Sequence, residues 1–178
     1  REHSVYCEIL PANAPLQEIK AKNARGLILS GGPHSVFDPG SPQSDPAILS
    51  LGIPVLGVCY GMQWIAQALG GVVEAAKTRE YGFTEVTVPQ PEKSALFSHL
   101  KGTKLRTWMS HGDEVKKMPE GFMEVSRSVS GYLAVMENAA KKIYAIQFHP
   151  EVTHTEQGEL VFKNFISLCN IKSFWNLG

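Results

Sequence analysis

Hydrophobic and polar positions follow two different rhythms along this chain. Up to about residue 70, short continuous apolar runs alternate with stretches of helical period. Val5–Leu10 reads as a strand, and Leu16–Asn23 as a helix with Leu16, Ile19 and Lys20 along one edge. Gly26–Leu29 reads as a buried strand. Asp45–Leu51 reads as a helix, because Asp45 can cap it and Pro46 has its φ already set for the first turn. Pro54–Val58 is the next strand and Gly61–Leu69 the next helix, ended by Gly70 and Gly71. Near-continuous apolar strands separated by helices predict an α/β fold with a parallel sheet covered on both faces.

After Val72 the rhythm changes to short strands with hairpin-like connections: Phe83–Val88, Thr103–Met109, Met123–Ser128, Leu133–Glu137 and Lys142–Gln147. The pattern closes with a helix over Gln157–Leu168. Leu160, Val161, Asn164, Phe165 and Leu168 form its inner stripe. No repeat or low-complexity segment interrupts the chain.

Composition narrows the classes. The 178 residues suffice for one domain with a single sizeable core. Formal net charge is zero and charged residues make up 19%, so no electrostatic footprint for nucleic acid or a membrane surface emerges. No apolar run approaches a membrane span, and the start of the chain lacks a secretory pattern. The cysteines Cys7, Cys59 and Cys169 are odd in number and widely spaced, which fits neither a disulfide framework nor a zinc site and suits a reducing cytoplasm. Cys7 and Cys169 are expected to fill core.

Candidate chemistry concentrates at two strand ends. Ile53–Val58 drives into Gly57-Val-Cys59-Tyr-Gly61, and an apolar-periodic segment (Met62, Ile65, Ala66, Leu69) follows. Strand, tight turn and helix with a cysteine at the turn match the logic of a nucleophile elbow. A cysteine there faces the positive end of a helix, which favours the thiolate. Taken alone, Cys59 could equally be a small buried hydrophobe. The strand Lys142–Gln147 leads into His149-Pro-Glu151. A thiolate nucleophile needs a base, and the base needs a group to orient it. Residues two apart in an extended segment point the same way, and Pro150 biases His149 toward extended backbone. His149 can therefore be the base and Glu151 its partner. A metal site built from the same three groups would need a fourth ligand, which no spacing supplies.

Four blocks resemble the glutaminase domain of class I (triad-type) glutamine amidotransferases, and within that family its GMP synthetase branch. They are Leu29-Ser-Gly-Gly-Pro33-His-Ser-Val36, Gly57-Val-Cys-Tyr-Gly-Met-Gln63, Trp108-Met-Ser-His-Gly-Asp113 and Gln147-Phe-His-Pro-Glu151, with Arg79-Glu-Tyr-Gly82 as a further subfamily mark. The resemblance runs from about Val5 to Cys169. It implies a flavodoxin-like three-layer α/β fold: a mostly parallel central sheet with helices on both faces, plus a small antiparallel sheet. It implies that residues 1–170 form a glutaminase domain whose first strand and helix are missing, with Arg1–Ser4 as the tail of that helix. Residues 171–178 would then begin a linker to an ATP-pyrophosphatase synthetase domain.

The same resemblance assigns roles. Cys59, His149 and Glu151 become a catalytic triad acting on L-glutamine through a γ-glutamyl thioester. Gly32 and Tyr60 supply the oxyanion-hole N–H groups. Gln63, Ser110, Gly112 and Asp113 bind the substrate, the last three from a loop. His34 and His111 are expected to be structural or interfacial, and Arg79, Glu80 and Tyr81 to face a partner domain. The domain itself is expected to need no cofactor or metal, whereas the synthetase domain uses ATP and Mg2+ to adenylate XMP. Without its first strand and that partner, the chain is expected to hydrolyse glutamine weakly or not at all. Two alternatives stay open: another acceptor (carbamoyl phosphate, anthranilate or CTP synthesis, or more distantly γ-glutamyl hydrolysis), or a non-catalytic glutamine-binding regulatory domain.

Overall fold

The computed structural model describes residue 3 and residues 5–171. Its elements run α1 (Leu16–Ala21), β1 (Leu27–Leu29), β2 (Val55–Val58), α2 (Tyr60–Ala68), β3 (Val72–Thr87), β4 (Lys104–Lys117), β5 (Met123–Ser128), β6 (Leu133–Asn138), β7 (Ile143–Ile146) and α3 (Gly158–Leu168). These seven strands join one sheet in the order β1-β2-β7-β6-β5-β3-β4. β1, β2 and β7 pair in parallel, and the remaining pairings are antiparallel.

The parallel strands are apolar throughout because both faces are covered. Along β7, Tyr144 and Ile146 join one core cluster and Ile143 and Ala145 the other, the two-residue alternation that pleating demands. One cluster takes Val161, Phe165 and Cys169 from the α3 side. The other takes Met62, Ile65 and Ala66 from α2, with Leu16 and Ile19 of α1 partly buried beside it. This is the three-layer α/β arrangement expected from the pattern, although the antiparallel strands continue the central sheet edge to edge.

Several expected elements come out differently. Val5–Leu10 forms no strand: none of the described strands pairs with it, and Tyr6 and Ile9 are 82% and 98% exposed. Cys7 lies exposed on this segment, so only Cys169 fills core, against Gly26. The segment opened by Asp45 is a single 3-10 stretch, Pro46–Ser50, with the Asp45 carboxylate accepting from Ala47 N–H. β3 and β4 are far longer than the short strands expected. Pairing with β3 takes in Ser110, His111 and Asp113 on either side of an irregularity at Gly112, and Gly82 pairs with Met109, so Ser110–Asp113 is strand and not loop. The expected helix tail at Arg1–Ser4 rests mostly on residues outside those described, as does the expected linker from residue 172 onward.

The glycines at the junction of β2 and α2 are closely packed. A Cβ on Gly61 would lie 2.2 Å from the Leu29 carbonyl oxygen, and one on Gly57 would lie 2.5 Å from Ile65 Cδ1 and 2.8 Å from the Gly61 carbonyl. No ordinary side chain fits at either position, so the sequence must place glycine on both sides of Cys59. Gly61→Ala is therefore expected to cost about 3 kcal/mol and to lower the thermal midpoint by roughly 10 °C. Gly32→Ala, whose Cβ would meet nothing within 4 Å, should stay within about 0.5 kcal/mol of the parent. Thermal unfolding of the two variants side by side checks this.

Candidate active site

The site sits at the carboxyl ends of the three parallel strands, the usual place for ligands in open α/β sheets. β1 ends in Ser30-Gly31-Gly32, β2 in Cys59, and β7 in the segment leading to His149. Parallel register aligns those three ends, with Leu29 opposite Gly57, and Gly57 and Val58 opposite Ala145 and Ile146.

Cys59 occupies φ 53°, ψ −107°, a conformation that L-residues rarely adopt. It is held there from several directions. Its N–H donates to Ile146 O at 2.8 Å, and its carbonyl accepts from Met62 and Gln63 N–H at 3.0 and 3.3 Å. Its thiol donates to Ser110 O at 3.4 Å. As the cap of α2, Cys59 stands where the first helical N–H groups lack partners, and Tyr60 N–H finds no acceptor among the described residues. The Tyr60 ring faces away, its hydroxyl donating to Pro42 O.

His149 meets Cys59 across Gly31. A Cβ on Gly31 would lie 3.1 Å from both Cys59 Cβ and His149 Cε1, so a side chain there would push on both members of the pair. His149 Nδ1 lies 2.7 Å from Glu151 Oε1. The backbone around it is fixed: His149 N–H donates to Trp108 O at 3.0 Å, and the Thr155 hydroxyl donates to His149 O at 2.7 Å while accepting from Trp108 N–H. The hydrogen bond with Cys59, first, and that with Glu151, second, push the imidazole up to about 10 against the opposing effect of burial. Burial works to raise the Glu151 carboxyl, but the His149 hydrogen bond and a backbone N–H outweigh it and hold the group below its ordinary value. Cys169, the other buried thiol, has no such partner, and burial pushes it up to about 11.

Gln63, one turn beyond Cys59, is 3% exposed. Its Nε2 donates to Asp113 O at 3.3 Å and to Gln147 Oε1 at 3.2 Å. Both amide hydrogens are thereby committed, leaving the carbonyl oxygen Oε1 as the group it can offer a ligand. Ser110, Gly112 and Asp113 lie on β4 along the rim of the same site, where the carbonyls of Ser110 and Asp113 face Cys59 and Gln63. Gly32, in the turn that follows β1, is exposed, with open space where a side chain would be. His34 is exposed as well. No cluster of three His, Cys, Asp or Glu side chains among the described residues is set to hold a metal ion, and no helix among them is long and apolar enough to cross a membrane.

The sequence leads to the expectation of Glu80 at a partner-facing surface and of His111 in a structural or interfacial role. The structure buries both and pairs them, Glu80 Oε1 to His111 Nε2 at 2.8 Å. A parity signal was available. Glu80 shares the two-residue phase of buried Thr84, Val86 and Val88, and His111 that of Leu105, Thr107 and Met109. Tyr81, in the opposite phase, is 62% exposed.

Many known proteins are similar to this chain. The sequence model of the family "Glutamine amidotransferase class-I" matches residues 1–168. Among curated relatives, a GMP synthase [glutamine-hydrolyzing] of Carboxydothermus hydrogenoformans is 46% identical over 99% of this chain and 34% of its own length. The enzyme of that name from Neisseria meningitidis serogroup B matches to the same extent. The chain thus spans about a third of the length of these relatives. Among solved structures, a putative GMP synthase subunit from Thermoplasma acidophilum superposes with a TM-score of 0.80 at 31% identity, covering 92% of this chain and 80% of that one. A glutamine amidotransferase from Thermotoga maritima gives 0.64 at 26% identity, covering 90% and 65%. A cysteine on a strained turn against a His–Glu pair, on a sheet of this topology and with a family match along nearly its whole length, places the chain in the class I glutamine amidotransferase family, with the flavodoxin-like fold of its relatives.

Proposed function

We propose that this chain is the glutaminase half of a GMP synthase, releasing ammonia from L-glutamine for the ATP-dependent amination of XMP to GMP on a synthetase domain. The observation that carries the reading is the Cys59–His149–Glu151 arrangement, in a chain 46% identical over 99% of its length to GMP synthases. That synthetase domain would bring the ATP and Mg2+ and would lie in the same polypeptide or in a separate one. Purine synthesis of this kind fits a cytoplasmic protein.

In this reading the Cys59 proton passes to His149, and the resulting Sγ thiolate attacks the side-chain carboxamide carbon of glutamine. The oxygen of the tetrahedral adduct is met by N–H groups of Tyr60 and Gly32, fixed donors that need no rearrangement as charge develops. The C–N bond breaks as His149 gives its proton to the leaving nitrogen, and ammonia departs from a γ-glutamyl thioester. The raised His149 pKa keeps that proton in place at neutral pH. Acylation of Cys59 then removes the first cause of the elevation, so the same imidazole becomes able to take a proton from water. Attack of that water breaks the C–S bond and releases glutamate, with Glu151 holding the ring in the useful tautomer throughout.

Substrate selection follows from what is left to offer. Gln63 Oε1, an acceptor, suits the α-ammonium of glutamine, and Ser110, Gly112 and Asp113 line the place where the amino-acid head would lie. An enzyme that releases ammonia into water loses it to protonation and dilution. The chain alone is therefore expected to idle, and to work when the synthetase site is loaded.

Glutamate release, measured with the synthetase domain present, should rise on adding ATP, Mg2+ and XMP together. Cys59→Ala should abolish it, with a loss of about 10⁴-fold or more. Cysteine-dependent release indifferent to XMP would point to another acceptor, and no cysteine-dependent release at all would favour a non-catalytic domain.

The imidazole of His149, followed by NMR across pH, should titrate near 10, and lower in Cys59→Ala and in Glu151→Gln. The larger drop belongs to Cys59→Ala, because the cysteine is the first cause of the rise. Since the shift is upward, the interaction stabilises the fold fully below the ordinary histidine value of 6.5 and fades as pH climbs through about 10. The stability difference between parent and Cys59→Ala should shrink over that window.

A further inference from the structure

A buried pair of ionisable groups lies beside the site and takes no part in the chemistry above. Glu80 and His111 side chains are 4% and 1% exposed, joined through Oε1 and Nε2 at 2.8 Å. The other ring nitrogen, Nδ1, lies 2.7 Å from Asp113 O. A carbonyl can only accept, so Nδ1 carries a hydrogen and donates it, while Nε2 and the Glu80 carboxyl share one further hydrogen. The Asp113 carbonyl therefore receives two donors, His111 Nδ1–H from its own strand and Gln63 Nε2–H from α2.

The backbone around the pair is built for one geometry. Ala75 pairs with Asp113 and Glu80 with His111, so residues 76–79 of β3 stand opposite the single Gly112 of β4. That excursion is tied down by Thr78 N–H donating to the Tyr132 hydroxyl at 2.8 Å, and the Tyr132 ring packs edge-on against His111. The Arg79 side chain covers Gly112, its nearest atom 3.4 Å from where a Cβ would be. The bulge thus returns the chain inward at Glu80, opposite the imidazole. Burial works to raise the Glu80 carboxyl, yet the His111 hydrogen bond helps bring it below its ordinary value, so the two groups answer one another.

We propose that the Glu80–His111 pair is a positioning element for the substrate: by fixing the Asp113 carbonyl it fixes the Gln63 side chain, whose remaining oxygen grips the amino-acid head of glutamine. This rests on the glutaminase reading and adds two positioning residues to it. Neither touches substrate. Breaking the pair frees the imidazole to turn, leaves Asp113 O with one donor, and lets the Gln63 amide rotate. The effect falls on binding of the amino-acid head, and the thiol itself is left alone.

The test labels Cys59 with two electrophiles, with the synthetase domain, ATP, Mg2+ and XMP present, and follows the adduct by mass spectrometry. 6-Diazo-5-oxo-L-norleucine carries the amino-acid head of glutamine, and iodoacetamide does not. In Glu80→Ala the concentration of diazoketone giving half-maximal rate should rise about tenfold, with the maximal rate and the iodoacetamide rate within about twofold of the parent. Glu80→Gln should restore most of the loss, because its amide N–H can donate to Nε2 of an imidazole whose Nδ1–H is already held. Should Glu80→Ala fail to fold, His111→Gln asks the same question by keeping reach to Glu80 and losing the Asp113 carbonyl, and the same rise of about tenfold is expected.

A folded Glu80→Ala or His111→Gln with unchanged half-saturation overturns the proposal. So does a variant in which both reagents slow equally, since that is general distortion. A parent that, with the synthetase domain, ATP, Mg2+ and XMP present, reacts no faster with the diazoketone than with iodoacetamide overturns the glutaminase reading, and this inference with it.

Discussion

Everything in this molecule turns on how closely the β2–α2 junction packs against β1. With the Gly61 Cα pressed against the Leu29 carbonyl and Gly57 against the return of the helix, the chain turns within one residue, and that residue takes a positive φ. An unstrained turn would be wider and would carry Cys59 away from the strand ends. Strain of this kind, of order 1–3 kcal/mol, persists because the surroundings over-determine it. Cys59 is hydrogen-bonded through its N–H, its carbonyl and its thiol to three different parts of the fold. The parallel β1-β2-β7 register then needs only to bring the ends level for Gly31, Cys59 and His149 to meet.

Electrostatics follow from that proximity. His149 sits between a cysteine and a carboxylate, and both favour its charged form more than burial opposes it. On the proposed reading the balance is uneven in a useful direction, because the larger contribution comes from the group that acylation would consume. A histidine raised only by Glu151 would be a fixed acid through the whole cycle. One raised first by Cys59 would change character once the sulfur became a thioester, which is what the proposed acid-then-base role requires.

The elbow and the His-Pro-Glu segment were legible because each depends on local sequence. Glycines flanking a cysteine, apolar strands running into them and a proline between two polar groups dictate backbone shape within a few residues. β5, β6, β7 and α3 emerged within a residue or so of their expected bounds for the same reason. What escaped depends on distant partners. Val5–Leu10 has a strand's composition, but a strand exists only by pairing, and none of the described strands lies alongside it. β3 and β4 run through glycines that look like turn signals, because each supplies the other's hydrogen bonds over nearly their whole lengths. Cys7 reads as core until the segment carrying it is found on the surface.

The buried Glu80–His111 pair shows where the two kinds of information meet. Alternation along β3 and β4 is enough to turn both side chains inward, but their meeting needs the irregular register that sets residues 76–79 against Gly112. A regular ladder would continue from Ala75 and Asp113 without it, and some other residue would face His111. Two ionisable groups in an apolar interior are costly unless each satisfies the other, so a core that only had to be stable would have no physical reason to hold them. Their link toward the site is the Asp113 carbonyl, and that carbonyl's other donor is Gln63, at the edge of the space beside Cys59. The desolvation cost of the pair is thus linked, through the Asp113 carbonyl, to the orientation of the Gln63 amide, whose other hydrogen is held by Gln147.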